Sequence, residues 1–302
     1  MTAAVPAANF SFNPLEDPAV FLAVEDLELV GHGLAEAVWH GQHVSQLRGD
    51  GVEFHSHRSY QTGDDLRRVN WALYARLRKL NIKQSRQESR RPVYILADAT
   101  ASMSIRHGLW TKWHYAARVA AGLAWLAKRQ GDAPALGILN GGGVAHFLPA
   151  RQSADHLSGL CAALTGVRPE GPGNIAAALL PCQGLCRQRG FVILISDFFD
   201  AEEKILSELA GYRAQGHDVL ALQVLDPCEI ALPAGGDFDF EDPETGRVLR
   251  TSTESLHAAY ARRVAAWRES LRHRAAGLGL RWLSTSTEAS LTAVLRQWLA
   301  GT

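Results

Sequence analysis

The chain has 302 residues, with 31 Lys plus Arg against 31 Asp plus Glu, 47% hydrophobic and 21% charged residues. Such a composition belongs to a soluble globular protein long enough to bury a substantial core, and its balanced charge excludes a global field that would hold it on nucleic acid or membrane. The four cysteines (Cys161, Cys182, Cys186, Cys228) lack the second pair or histidine cluster that would complete a zinc pattern, so they read as structural thiols of a reducing compartment.

Residues 1–18, with three prolines and few periodic apolar positions, read as a flexible arm. They carry no basic n-region or apolar h-region, and no stretch of the chain approaches the roughly 20 apolar residues a membrane span needs. The expected location is the cytoplasm, with no membrane insertion. "PAVFLAVEDLELVGHGLAEAVWHGQ" has helical spacing and is expected to end near Gly41. A glycine-rich, charged block follows, amphipathic from Asp65 to Leu80.

From Pro92 strands and helices alternate. "PVYILAD" is a strand and "KWHYAARVAAGLAWLAKRQ" a helix. "PALGILN" and "VAHFLPA" are strands joined by a glycine turn at 141–143. "SADHLSGLCAALTGV" and "GNIAAALLPC" are helical, "GFVILISDFFD" contains a buried strand, "AEEKILSELAGYRAQG" is a helix and "HDVLALQVLDP" a strand. "GDFDFEDPETGRVLRTS" reads as a hairpin around an acidic turn. The helix "TESLHAAYARRVAAWRESLRHRAAG", the strand "LRWLSTS" and the helix "EASLTAVLRQWLAG" complete the chain. This alternation predicts an α/β fold with a doubly wound, mostly parallel sheet and helices on both faces. In such sheets ligands bind beyond the carboxyl ends of the strands, and two strands end on aspartate, Asp98 and Asp197.

After Asp98 come Thr100 and Ser102 at alternate positions, which points the carboxylate and both hydroxyls to one side. Individually these residues also read as a helix cap or an Asx turn. As a set they are poorly suited to nucleophilic catalysis, because no base accompanies them. They suit Mg²⁺ (or Mn²⁺), which takes about six oxygens and keeps waters among them. Asp197 would add a second acid, and Asn174, in the glycine-rich "PEGPGN", a further oxygen.

Asp98, Thr100, Ser102, Asn174 and Asp197 together resemble the metal-ion-dependent adhesion site of von Willebrand factor A domains. Thr100 stands for a serine of that pattern and Asn174 for its threonine. A longer pattern is similar to the bacterial family called domain of unknown function 58: Ser45, Gly49, Gly51, Glu53, Phe54, Arg58, Tyr60, Gly63, Asp64, Asp65, Arg67, Trp71, Ala75 and Arg76. Asn70 departs from the aspartate usual before the tryptophan, and "LDPCEIALP" and "FEDPETGRVL" extend the likeness. The resemblance implies a von Willebrand factor A-like domain over 92–302, with the N-terminal helix and signature block over 19–91 packed on its sheet. It also implies an accessory or adaptor role beside a MoxR-type AAA+ ATPase, without an established reaction.

Residues 55–91 hold ten Lys or Arg against three acids. Few aromatics interleave with them, so structural bracing is favoured over a partner surface, and both over nucleic acid. None of the 12 histidines lies in an HExxH context, no serine in GxSxG, and the GGG at 141–143 has no adjoining lysine. The sequence thus points to a non-enzymatic, metal-dependent protein-binding adaptor whose partner supplies a carboxylate to the ion. Two alternatives stay open: a metal-dependent phosphoester hydrolase, and a scaffold whose metal site no longer binds.

Overall fold

The structure is a computed structural model that describes residues 26–46, 57–59, 74, 78, 81–83, 91–106, 108, 110–233 and 235–300, with backbone alone at 40–46, 57–59, 81–83 and 154. It forms two units, one of residues 1–39 and 90–302 and one of residues 40–89.

In the larger unit, apolar runs too short for helices and too continuous for a half-exposed strand make a parallel sheet buried on both faces. Its strands are β3 (Pro92–Asp98), β4 (Ala133–Asn140), β5 (Gly143–Leu148), β6 (Phe191–Ser196), β7 (Asp218–Leu225) and β10 (Arg281–Ser286). They lie in the order β10-β7-β6-β3-β4-β5. All neighbours are parallel except β5, which returns antiparallel along β4. Gly141 and Gly142, both at positive φ, make that reversal.

Side chains alternate between the sheet's two faces. Val93, Ile95 and Ala97 face one core with Leu136, Ile193 and Leu222. Tyr94 and Leu96 face the other with Ala135, Leu194 and Ala221. The first face is covered by α1 (Leu27–Gln46), α2 (Lys112–Arg129), α3 (Ala154–Thr165) and α8 (Leu291–Leu299). The second is covered by α4 (Ile175–Leu185), α5 (Glu202–Ala214) and α7 (His257–Gly277). Between β7 and α7 come the single turn α6 (Pro227–Ile230) and the hairpin β8 (Asp237–Glu241) and β9 (Val248–Ser252). Among the described residues no helix is long and apolar enough to cross a membrane.

Helix α1 begins inside the segment expected and runs through Gln46 rather than ending near Gly41, because Gly41 keeps helical backbone instead of the left-handed turn that stops a helix. Leu27, Val30, Leu34 and Val38, spaced by three or four, enter the first core. At Gly31 the helix meets α2 so closely that an added Cβ would lie 2.6 Å from Trp125 Cδ1. Residues up to Trp39 group with the sheet in the larger unit.

The smaller unit contains β1 (His57–Ser59) paired antiparallel with β2 (Asn81–Lys83), Arg58 opposite Ile82. Tyr60, Gly63, Asp64, Asp65, Arg67, Trp71, Arg76 and the side chain of Arg58 lie outside the described residues, as does the arm 1–18.

The approach of β6 to β3 tolerates no side chain at its entry. A Cβ on Gly190 would sit 2.1 Å from the Pro92 carbonyl oxygen, a backbone atom that cannot swing away. Gly190→Ala is expected to cost about 3 kcal/mol, seen as a melting temperature several degrees lower in calorimetry; an unchanged transition would refute this packing.

Candidate functional site

The strand order reverses direction between β3 and β6: from β3 the chain proceeds to β4 on one side and later to β6 on the other. A crevice opens at the carboxyl ends where such a reversal occurs. Asp98 ends β3, and Ser196-Asp197 ends β6, so two of the expected site residues flank that crevice.

Asp98 is 1% exposed, and its carboxylate accepts three hydrogen bonds. Oδ1 accepts from the Thr100 N–H (2.9 Å) and the Thr100 hydroxyl (2.7 Å), and Oδ2 from the Ser196 hydroxyl (2.6 Å). Thr100 and Ser102 hydroxyls lie 3.2 Å apart. Thr100 is the residue before the 3₁₀ turn Ala101–Ser104, yet its hydroxyl caps no N–H there and turns to Asp98 instead. Burial, then repulsion from Asp197, pushes the Asp98 carboxyl up to about 7, against the hydrogen bonds that favour its charge.

Asp197 is 2% exposed and faces a cation that belongs to the chain itself. Lys112, the first residue of α2, is fully buried; its Nζ donates to Asp197 Oδ2 at 2.7 Å and to Glu229 Oε1 at 2.6 Å. Its ammonium also stands 5.1 Å from the centre of the Phe199 ring. Burial alone would lower the Lys112 pKa, but Asp197 and Glu229 outweigh it and hold it above the ordinary lysine value. Glu229 is pushed up to about 7 by burial, and Lys112 moderates that rise.

Each carboxylate is fixed from behind. Asp197 Oδ1 accepts from the Phe199 N–H at 3.1 Å. Glu229 Oε2 accepts from the Asp226 N–H at 2.8 Å, as half of a capping box that starts α6. The Asp197 carbonyl accepts from Gln223 of β7, whose Oε1 accepts from Ser284 of β10. Phe198 adopts φ +63, uncommon for a bulky residue. That twist buries Phe198 against Trp282 (ring centres 4.7 Å apart) and leaves Phe199 47% exposed, stacked on Trp267 at 5.2 Å.

Asn174, expected to face the same ion, is exposed, and its side chain lies over Gly142 of the β4–β5 turn. It caps nothing; the Ile175 N–H at the start of α4 donates to Asp200 Oδ2 at 3.1 Å. Asp98, Thr100, Ser102 and Asp197 thus gather at one edge, and Asn174 is placed over the neighbouring turn.

As it stands this set does not fit a divalent ion. Each carboxylate oxygen of Asp98 and Asp197 already accepts at least one hydrogen bond, and the donor to Asp197 Oδ2 is an ammonium. That ammonium would repel a divalent ion placed beside it and already fills the space between Asp197 and Glu229.

Beside the cluster lies a cleft of about 770 Å³, bounded by Ser102, Phe199, Asp200 and the β8–β9 hairpin. Among the described residues its lining includes Asp200, Glu241, Asp242 and Glu244 together with the cation Arg247. The hairpin is tied across the edge by Glu244, which accepts from the Gly173 N–H at 2.9 Å.

Residues 56–270 match the family model described as protein of unknown function DUF58. The chain belongs to this family. Among DUF58-like relatives, uncharacterized protein Rv1480 of Mycobacterium tuberculosis and uncharacterized protein Mb1516 of Mycobacterium bovis are each 30% identical over 291 residues, covering 95% of this chain and 88% of theirs. Two solved structures are similar to this DUF58 chain over 70% of its length. One is the conserved hypothetical protein BatB from Bacteroides thetaiotaomicron (18% identity, TM-score 0.49, 98% of that chain). The other is an aerotolerance-related membrane protein from Bacteroides fragilis (19% identity, TM-score 0.47, 100% of that chain).

Two central members of this DUF58 site, Lys112 and Glu229, escape the sequence reading. A signal for Lys112 exists: a cation in the first turn opposes the helix dipole, and this one opens a run whose other positions are mostly apolar. Glu229 lies in "LDPCEIALP", where the Asp-Pro-x-Glu spacing signals a capping box but not a second use of the glutamate.

Proposed function

We propose that this DUF58 chain is a non-enzymatic protein-binding adaptor with a von Willebrand factor A-like architecture, and that its partner docks at the carboxyl edge of the sheet. The observation that carries this reading is the surface around the buried Lys112 cluster. Phe199 stands exposed on a rigid stack, and Val248 and Leu249 across the cleft are 59% and 65% exposed. Large apolar side chains grouped beside a polar rim favour a protein contact.

The partner in this proposal is a MoxR-type AAA+ ATPase, which the family resemblance implies. The carboxylate-supplying partner expected from the sequence suits a metal-bearing edge. The acidic rim of Asp200, Glu241, Asp242 and Glu244 instead favours partner side chains that are basic. A phosphoester hydrolase finds less support here, because Asp98, Asp197, Glu229 and Lys112 are spent on one another and on backbone donors.

The test is capture of a purified MoxR-type AAA+ ATPase from the same genome by the immobilised chain. The double variant Phe199→Ser, Leu249→Asp is expected to weaken capture at least tenfold, and Arg272→Ala on the solvent side of α7 to leave it unchanged. Equal capture by all three proteins would place the contact elsewhere. Absence of capture by the unaltered chain would reject this partner.

A further inference from the structure

We propose that Lys112 is a resident, covalently tethered cation that holds the strand edge in the role a divalent metal would otherwise play, so that this edge is organised without metal. The inference deepens the adaptor reading and rests on it only for the consequence that docking needs no added ion.

Three features carry it. Lys112 is placed where a helix start does not call for it, at the positive end of the α2 dipole, yet with no exposure to water. Its Nζ bridges carboxylates from two separate segments, Asp197 after β6 and Glu229 after β7. Cross-linking of loops by one central positive charge is what a structural ion does. The acids are also oriented by bonds to their far oxygens, from the Phe199 and Asp226 N–H groups, as metal ligands are oriented from behind.

Neighbouring oxygens extend the set: the Thr100 hydroxyl donates to Asp98, and the Ser102 hydroxyl lies 3.2 Å from that of Thr100. Hard oxygen donors of this kind suit magnesium or manganese once the ammonium is gone. The lysine is then the element that keeps the ion out, by charge and by filling the space. Truncating it would leave Asp197 and Glu229 with room between them and no counter-charge, with Asp98 close enough to Asp197 to feel its charge.

Mn²⁺ and Mg²⁺ are the probes, titrated without any partner at about pH 8, well above the ordinary carboxylate range. The unaltered protein is expected to show no Asp98-dependent binding, by calorimetry or by loss of the free Mn²⁺ paramagnetic signal. Lys112→Ala is expected to gain one site and to melt at higher temperature when the ion is added. Lys112→Ala with Glu229→Gln removes one charge of each sign; it supplies a foldable background if the single variant does not fold, and it should gain the same site. Adding Asp98→Asn to either should abolish it.

Asp98-dependent binding by the unaltered chain would overturn the proposal. So would a failure of the folded variants to bind, since the edge would then never have been a cation site waiting to be filled. Neither result depends on whether an ATPase is captured, so the two proposals fail separately.

Discussion

Lys112→Met is expected to destabilise the protein by about 3–5 kcal/mol at about pH 8, the range for removing one partner of a buried ion pair. The methionine fills much of the space but leaves Asp197 and Glu229 facing each other without the ammonium that both now share. The loss should shrink on acidification. The Glu229 pKa is raised from its ordinary 4.5 to about 7 even with Lys112 present, and higher without it. As pH falls below about 7 the glutamate takes up a proton in the folded state, and the variant then strands one fewer charge. Chemical denaturation of both proteins at about pH 8 and about pH 5 checks this; a loss that is small and equal at the two values would contradict the ion-pair account.

Asp98→Asn should have the opposite sign. The folded pKa of Asp98 is raised from 3.8 to about 7 by burial and by Asp197. Its neutral form therefore contributes stability that is complete below about pH 4 and is lost as pH rises through about 7. Above that the ionised carboxylate weighs on the fold by a few kcal/mol, on the order of 2–4. Asparagine keeps the shape, accepts from the Thr100 groups and donates to the Ser196 oxygen. The variant should thus equal the parent near pH 4 and exceed it by about 2 kcal/mol or more at about pH 8, with a flatter pH profile between. Asp98→Ala should fail where asparagine succeeds, because it orphans the Thr100 N–H and the Ser196 hydroxyl. A less stable asparagine variant at about pH 8 would show that Asp98 is needed as an anion.

The sheet is legible in the sequence because parallel strands buried on two faces write themselves as unbroken apolar runs, as in "VILIS" and "VLALQVL". The crevice follows from strands that end on Asp98 and Asp197. What the chain order hides is long-range pairing. Lys112 meets Glu229 across 117 positions, and at either end the local pattern has an ordinary explanation, a helix start and a capping box. At the start of α4 the local pattern likewise hides a distant partner: Asp200 takes the Ile175 N–H, and the Asn174 side chain lies over Gly142. The length of α1 is misjudged at Gly41, since a glycine permits a helix to stop without compelling it.

The place of Lys112 at the head of α2 has a consequence for how the molecule breathes. Helices ordinarily loosen from their ends, where backbone groups lack partners and little is buried. Here the first residue of the helix is bolted to the segment after β6 and to the turn after β7. Fraying of α2 would require the ammonium to leave both acids, so these three stretches open together, as a single foldon whose release gives up two buried ion pairs at once.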